Sequence, residues 1–192
     1  MKTIMNNVTN EIIIKNSRFI CCLYKIKNTN EAIDILNHIR LEYKDATHCC
    51  YAYIVDNLKK SSDDGEPGGT AGVPIMMVLE NNDLTNILAV VIRYFGGIKL
   101  GAGGLVRAYT KSVTSSIEES NVVSLISGYN IDIEFTYNQI KEIDYLLRDI
   151  KINNKEFNDI VNYNIDIPID FLENIKLANI TYKIRNNIYI EK

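Results

Sequence analysis

Histidine is scarce in this chain of 192 residues, where only His38 and His48 occur. The four cysteines stand as two adjacent pairs, Cys21-Cys22 and Cys49-Cys50, and no C-x-x-C spacing is present. Neighbours on a strand point to opposite faces, so neither pair chelates one ion easily, and buried reduced thiols are expected rather than a zinc site. No apolar run approaches the roughly 18 residues that a membrane-spanning helix needs. The opening MKTIMNNVTNEIII lacks both a long apolar core and a small-residue cleavage site, so neither a signal peptide nor a membrane association is expected, and a cytoplasmic location is. A basic excess is missing too. The formal net charge is −3 and the pI near 5.5, which argues against a generic duplex-binding protein.

The charge that is present is unevenly spread. Residues 1–127 balance, whereas residues 128–192 carry 8 Lys+Arg against 11 Asp+Glu and supply the whole deficit. Between Leu84 and Ile117 no acidic residue occurs, yet Arg93, Lys99, Arg107 and Lys111 do. Glycine is concentrated in the same region: nine of the ten glycines lie between Gly65 and Gly104. Glycine is costly to order and is tolerated where the backbone needs positive φ or close approach, so unusual backbone, and function with it, is expected here.

Periodicity supplies the framework. Glu11–Lys15 and Arg18–Tyr24 read as strands around Asn16-Ser17, and Asn28 offers an N-cap for a helix over Glu31–Tyr43. Ala46–Val55 reads as a strand with His48, Cys50 and Ala52 on one face. Asn57–Pro67 reads as a polar loop, Pro74–Leu79 as a short helix, and Asn86–Phe95 as the best buried strand. Gly101–Gly104 open a helix over Leu105–Ser120 whose expected buried stripe is Val106, Tyr109, Val113 and Ile117. A short strand over Val122–Ile126 and a junction at Ser127-Gly128 follow. The expected domains are 1–127 and 128–192. In the second, strand Tyr129–Tyr137, helix Asn138–Ile150, strands Glu156–Ile160 and Val161–Ile167, helix Pro168–Leu177 and strand Asn179–Ile190 give the ferredoxin-like order β-α-β-β-α-β.

Two constellations carry polar chemistry. Asp63-Asp64-Gly65-Glu66-Pro67 holds three carboxylates within four residues. They suit a hard cation, or general acid–base work by Asp64 and Glu66 with His48 as partner, or the fixing of a turn. The spacing of an EF-hand is absent, and no metal or cofactor is expected. In the second constellation a buried strand ends at Arg93 and a glycine-rich loop opens a basic helix, a setting for phosphate. The surface expected to meet phosphate or nucleic acid comprises Arg93, Lys99, Gly101, Gly103, Gly104, Arg107 and Lys111. Both common phosphate fingerprints fail, since Val106 stands where G-x-G-x-x-G needs glycine and Ala102 where a Walker loop needs lysine. Tight packing of helix on sheet is the alternative use of the same glycines.

These motifs together resemble the signature of the YigZ/IMPACT family: Asp63-Asp64-Gly65-Glu66-Pro67, Gly69-Thr70-Ala71-Gly72, Arg93-Tyr94-Phe95-Gly96-Gly97 and Leu100-Gly101-Ala102-Gly103-Gly104-Leu105-Val106-Arg107-Ala108-Tyr109. Ser17-Arg18-Phe19 and Asp45-Ala46-Thr47-His48 match its earlier motifs, so the resemblance covers residues 11–120. Gly68 replaces a usual serine, which removes that nucleophile, and Val73 replaces a usual basic residue. The resemblance implies an α+β chain with an N-terminal ribosomal protein S5 domain 2-like α/β domain and a C-terminal ferredoxin-like domain similar to the last domain of elongation factor G. Both folds occur in proteins that touch ribosomes or structured RNA. The eukaryotic relatives regulate translation in amino-acid starvation through a protein partner. The expected function is therefore a monomeric, translation-linked regulator that binds structured RNA or the ribosome through the glycine-rich basic surface. The alternatives are a phosphate- or nucleotide-handling enzyme and a protein-interaction module, with the weight against catalysis.

Overall fold

Lys15 (φ 46°) and Asn16 (φ 63°) both take left-handed backbone in the computed structural model, which describes every residue from Met1 to Lys192. Two consecutive positive φ values make a tight hairpin whose twist matches its strands. It joins β2 (Val8–Ile14) to β3 (Ser17–Lys25) in the first of two compact units, Met1–Ser124 and Leu125–Lys192. No helix is long and apolar enough to cross a membrane.

In the first unit, α1 (Thr29–Glu42) begins where the Asn28 side chain accepts from the Glu31 N–H, as its N-cap sequence predicts. Strands β4 (His48–Val55) and β5 (Leu58–Ser62), α2 (Gly72–Asn81), β6 (Ile87–Tyr94) and α3 (Ala102–Glu118) follow. The sheet order is β2-β3-β6-β4-β5, antiparallel at every pairing. Strand β6 lies between β3 and β4, and its residues Ile87 to Ile92 are fully buried because helices cover both faces. On one face Ala32, Leu36 and Ile39 of α1 pack on Cys22, Tyr51, Tyr53 and Val90. On the other, α2 and α3 bury Ile75, Leu79, Tyr109 and Val113 against Phe19, Cys50, Ala89 and Val91.

Several local expectations change. Residues 58–62 form an edge strand rather than part of a polar loop, because pairing with β4 supplies the hydrogen bonds that LKKSS offers no apolar reason to expect. Strand β1 (Lys2–Ile4) pairs with Val122–Ser124, a long-range contact invisible to periodicity. The two strands expected around Ser127-Gly128 are one, β7 (Val122–Phe135). Gly128 sits inside it because a Cβ would come within 2.5 Å of the Ile167 carbonyl oxygen.

The second unit adds α4 (Ile140–Leu146), β8 (Lys151–Phe157), β9 (Val161–Pro168), α5 (Leu172–Leu177) and β10 (Thr181–Glu191) to the later part of β7. Both helices are shorter than expected, each preceded by a single 3-10 turn. The order β8-β9-β7-β10, all antiparallel, is the ferredoxin-like one. Ile131, Ile133, Tyr163, Ile165 and Ile167 pack beneath Ile143 and Ile175 of the helices. The opposite sheet face is polar, with Asn130 and Asn164 exchanging amide hydrogen bonds and reaching Asp166 and Asp132.

Candidate functional site

The starts of β3 and β4 and the end of β6 meet at one end of the first sheet, where Arg18 pairs with Tyr94, and Phe19 and His48 both lie opposite Arg93. Every short motif of the sequence converges there. The Ser17 hydroxyl accepts from the Gly96 N–H at 3.1 Å, and the Thr47 hydroxyl accepts from the Phe95 N–H at 3.0 Å. The Tyr94 hydroxyl donates to Asp45 at 3.1 Å, while Arg18 pairs with Glu11 and lies over the Tyr94 ring.

The three carboxylates of the acidic loop are all engaged by donors of the fold, although only Glu66 is buried. Asp63 occupies the N-terminus of α2: one oxygen accepts from the Gly69 N–H at 2.8 Å, the other from Ala71 at 2.9 Å and Gly72 at 2.8 Å. Burial alone would raise its pKa, but the three backbone donors outweigh it and hold the carboxyl below its ordinary value. Asp64 accepts from the Cys49 N–H at 2.7 Å and lies 3.5 Å from the Arg40 guanidinium. Glu66 is buried, and one of its oxygens accepts from Arg93 Nη1 at 2.6 Å and from the Tyr109 hydroxyl at 2.8 Å.

His48 completes this cluster. Its Nδ1 lies 2.9 Å from the Asp64 carbonyl oxygen, which can only accept, so Nδ1 carries a proton and Nε2 faces Glu66 at 3.8 Å. Below them the Cys50 thiol donates to the Asp63 carbonyl at 2.9 Å, with the Tyr109 hydroxyl oxygen 3.3 Å from its sulfur. Burial pushes Cys50 up to about 12, and burial together with Cys50 and Glu66 pushes the Tyr109 phenol far up as well. The edge of the Phe19 ring meets Tyr109 with centroids 5.3 Å apart, and the Arg93 guanidinium lies 5.4 Å from the Phe19 centroid and 5.5 Å from that of Phe95. His48, Asp64 and Glu66 thus come together, as an acid–base reading would need, but each carboxylate already has donors within the fold.

The basic constellation divides. Arg93 is 5% exposed and closed by Glu66, so it does not share a surface with the other cations. Its position on β6 aims it at the face that α2 and α3 cover, where an apolar strand left it one possible counter-charge. Lys99, Arg107 and Lys111 are exposed and form no ion pair. Gly97 (φ 82°) and Gly101 (φ 71°) supply the left-handed turns that lead into α3, whose first turn has neither a side-chain cap nor an acidic residue. A Cβ on Gly103 would meet Arg107 Nη1 at 3.6 Å, so the Arg107 side chain lies back along the helix toward that first turn. Gly104 allows Leu100 to approach, a Cβ there falling 3.0 Å from the Leu100 Cβ. Arg107 and Lys111 line a shallow groove of about 340 Å³ with Val106, Thr110, Thr114, Ser115 and Glu118. Val106 therefore belongs to the open side of α3, and the buried stripe runs through Leu105, Ala108, Tyr109, Ser112, Val113, Ser116 and Ile117. Sequence reasoning missed Tyr109, Ser17 and Thr47 as polar members. The available signal was a tyrosine at a buried helix position, whose hydroxyl must find a partner.

The pattern of the Impact N-terminal domain matches residues 15–117. IMPACT family member YvyE of Bacillus subtilis (strain 168) is 43% identical over 158 residues, which cover 77% of this chain and 73% of that protein. IMPACT family member YigZ of Escherichia coli (strain K12) is 35% identical over 162 residues, covering 81% and 79%. A crystal structure described as that of a hypothetical protein superposes with a TM-score of 0.65 at 30% identity, over 95% of both chains.

Proposed function

The chain belongs to the IMPACT family, and on that footing we propose that it is a translation-linked regulator that binds structured RNA, free or within the ribosome, through the loop Gly96–Gly101 and the open side of α3. The observation that carries this reading is the contrast between the two constellations. Asp63, Asp64 and Glu66 are all engaged by donors of the fold, while Lys99 and Arg107 stand exposed and unpaired about an uncapped helix start, with Lys111 one turn further along α3. Unpaired cations beside backbone that permits close approach suit phosphates, and phosphate contacts dominate nucleic-acid affinity. The family resemblance supplies the link to translation.

Anisotropy titration of the whole chain with a hairpin RNA, repeated at rising salt, tests the reading. Lys99→Ala, Arg107→Ala and Lys111→Ala together should lower the slope of log affinity against log salt by about 2 to 3, one contact each. Absence of binding at low salt, or an unchanged slope in the triple variant, refutes it. A protein-interaction module is the second reading, favoured by Val73 (49% exposed) and Met77 (53% exposed) standing one turn apart on α2. Partners recovered after nuclease treatment and high salt would support that reading over the first.

A further inference from the structure

We infer that Phe95 is a stacking platform for an unpaired RNA base, so that the ligand class of the basic surface is RNA with a single-stranded loop or bulge rather than continuous duplex. This rests on the proposed reading that the surface meets RNA. Phe95 directly follows the most deeply buried strand of the protein, yet it is 46% exposed. A single exposed apolar residue is ordinary and means nothing alone. This one is held in place. Its N–H is fixed by Thr47 at 3.0 Å and the next N–H by Ser17 at 3.1 Å. Gly96 is locked against the Asn16 backbone, leaving no room even for a Cβ, which would fall 2.1 Å from the Asn16 carbonyl carbon. The ring is also backed by a charge: the Arg93 guanidinium lies 5.5 Å from its centroid and is itself anchored by Glu66.

An exposed aromatic ring on a pinned backbone, four residues before an unpaired lysine and with an unpaired arginine folded back toward the same helix start, has the parts of a single-strand site. Bases stack on the ring and cations take the backbone. Continuous A-form duplex keeps its bases within the stack, whereas loops and bulges offer them to aromatic side chains. The net charge of −3 fits the same choice, since duplex coating calls for a broad basic face.

The chain contains no tryptophan, so Phe95→Trp creates a single fluorescent reporter at the site. The whole protein would be titrated at low salt with a hairpin RNA carrying an unpaired pyrimidine loop, and with the blunt duplex of its stem. The hairpin should quench Phe95→Trp and the duplex should not. Hairpin affinity should fall about tenfold in Phe95→Ala, within the roughly 5- to 150-fold that one stacked base provides, and equally in Phe95→Leu, which keeps apolar bulk but has no π-face. Phe95→Tyr should keep it. If the hairpin binds and responds to Arg107→Ala, but quenching is absent or Phe95→Leu binds like the native chain, stacking is wrong and the RNA reading stands. Duplex that binds as well as hairpin also overturns stacking. If neither RNA binds the native chain, both fall.

Discussion

Replacing Glu66 with glutamine would strand the charge of Arg93 inside the protein. The two side chains are 3% and 6% exposed, and the contact between them is 2.6 Å. Removing one partner of a buried pair costs about 3–5 kcal/mol, because the survivor stays desolvated without its counter-charge. The Phe19 and Phe95 rings beside the guanidinium offer only weak compensation, and its Nε already lacks a hydrogen-bond partner. Glutamine keeps the volume and an acceptor for Tyr109, so Glu66→Gln should cost about 3 kcal/mol. Arg93→Met should cost a similar amount by leaving the buried carboxylate without its guanidinium, with the Tyr109 hydroxyl as its remaining donor. The double variant, with no charge left to strand, should cost less than about 2 kcal/mol, well below the sum. All four cysteines are buried in Met1–Ser124, so pulsed thiol labelling along a urea gradient reports that unit alone. Burial pushes Cys21 and Cys50 up to about 12 and Cys49 to about 11, which keeps the native thiols silent and makes the unfolded ones stand out. At about 2 kcal/mol per molar urea, the Glu66→Gln midpoint should drop by about 1.5 M. Single variants that each cost under about 1 kcal/mol, or a double variant that costs their sum, would refute the account of Glu66 and Arg93 as a mutually dependent buried pair.

Asp63→Ala should destabilise the first unit by about 1–2 kcal/mol, through loss of the cap on α2, by the same labelling assay. The native Asp63 carboxyl titrates below its ordinary value near 3.8, so its stabilising charge is fully present above that value and fades as pH falls through the lower folded one. In Asp63→Asn that part of the acid limb of the stability profile should be missing, and an unchanged limb would count against the cap. Gly96→Ala should cost at least about 3 kcal/mol, since the new methyl meets the Asn16 backbone. Gly97→Ala, with open space but φ at 82°, should cost only about 1–2 kcal/mol. Equal losses at the two glycines would show that close approach is not what Gly96 provides.

Much of the fold is legible in the sequence itself. The hairpin at Asn16, the cap at Asn28 and the apolar run Ile87–Ile92 of β6 are local signals, and local signals are what periodicity and turn chemistry report. The ferredoxin-like order was legible for the same reason. Strands β1 and β5 were not, because β1 is too short to show a period and pairs with residues 122–124, and β5 has no apolar face and is a strand only through its pairing with β4. The site was legible by residue and not by role. Asp63, Asp64 and Glu66 were visible as a cluster, but the donors that occupy them come from residues up to 43 positions away, as for Tyr109 and Glu66. Arg93 illustrates the limit: a cation next to a glycine-rich loop looks like a phosphate ligand until the packing shows which face of the strand it takes.

The insertion of β6 between β3 and β4 also has a consequence for the nascent chain. The two outer neighbours, complete by Val55, do not pair with each other in the sheet and must wait for roughly 40 more residues before the strand that joins them is made. At about 5–20 residues per second, that leaves two apolar strand edges unpaired for about 2–8 s on each translating ribosome. During that interval Phe19–Leu23 and Cys49–Val55 are open to the wrong partner, including the same segment of a neighbouring nascent chain. Expression yield should therefore respond to translation speed over residues 56–94 more than over the remainder of the gene.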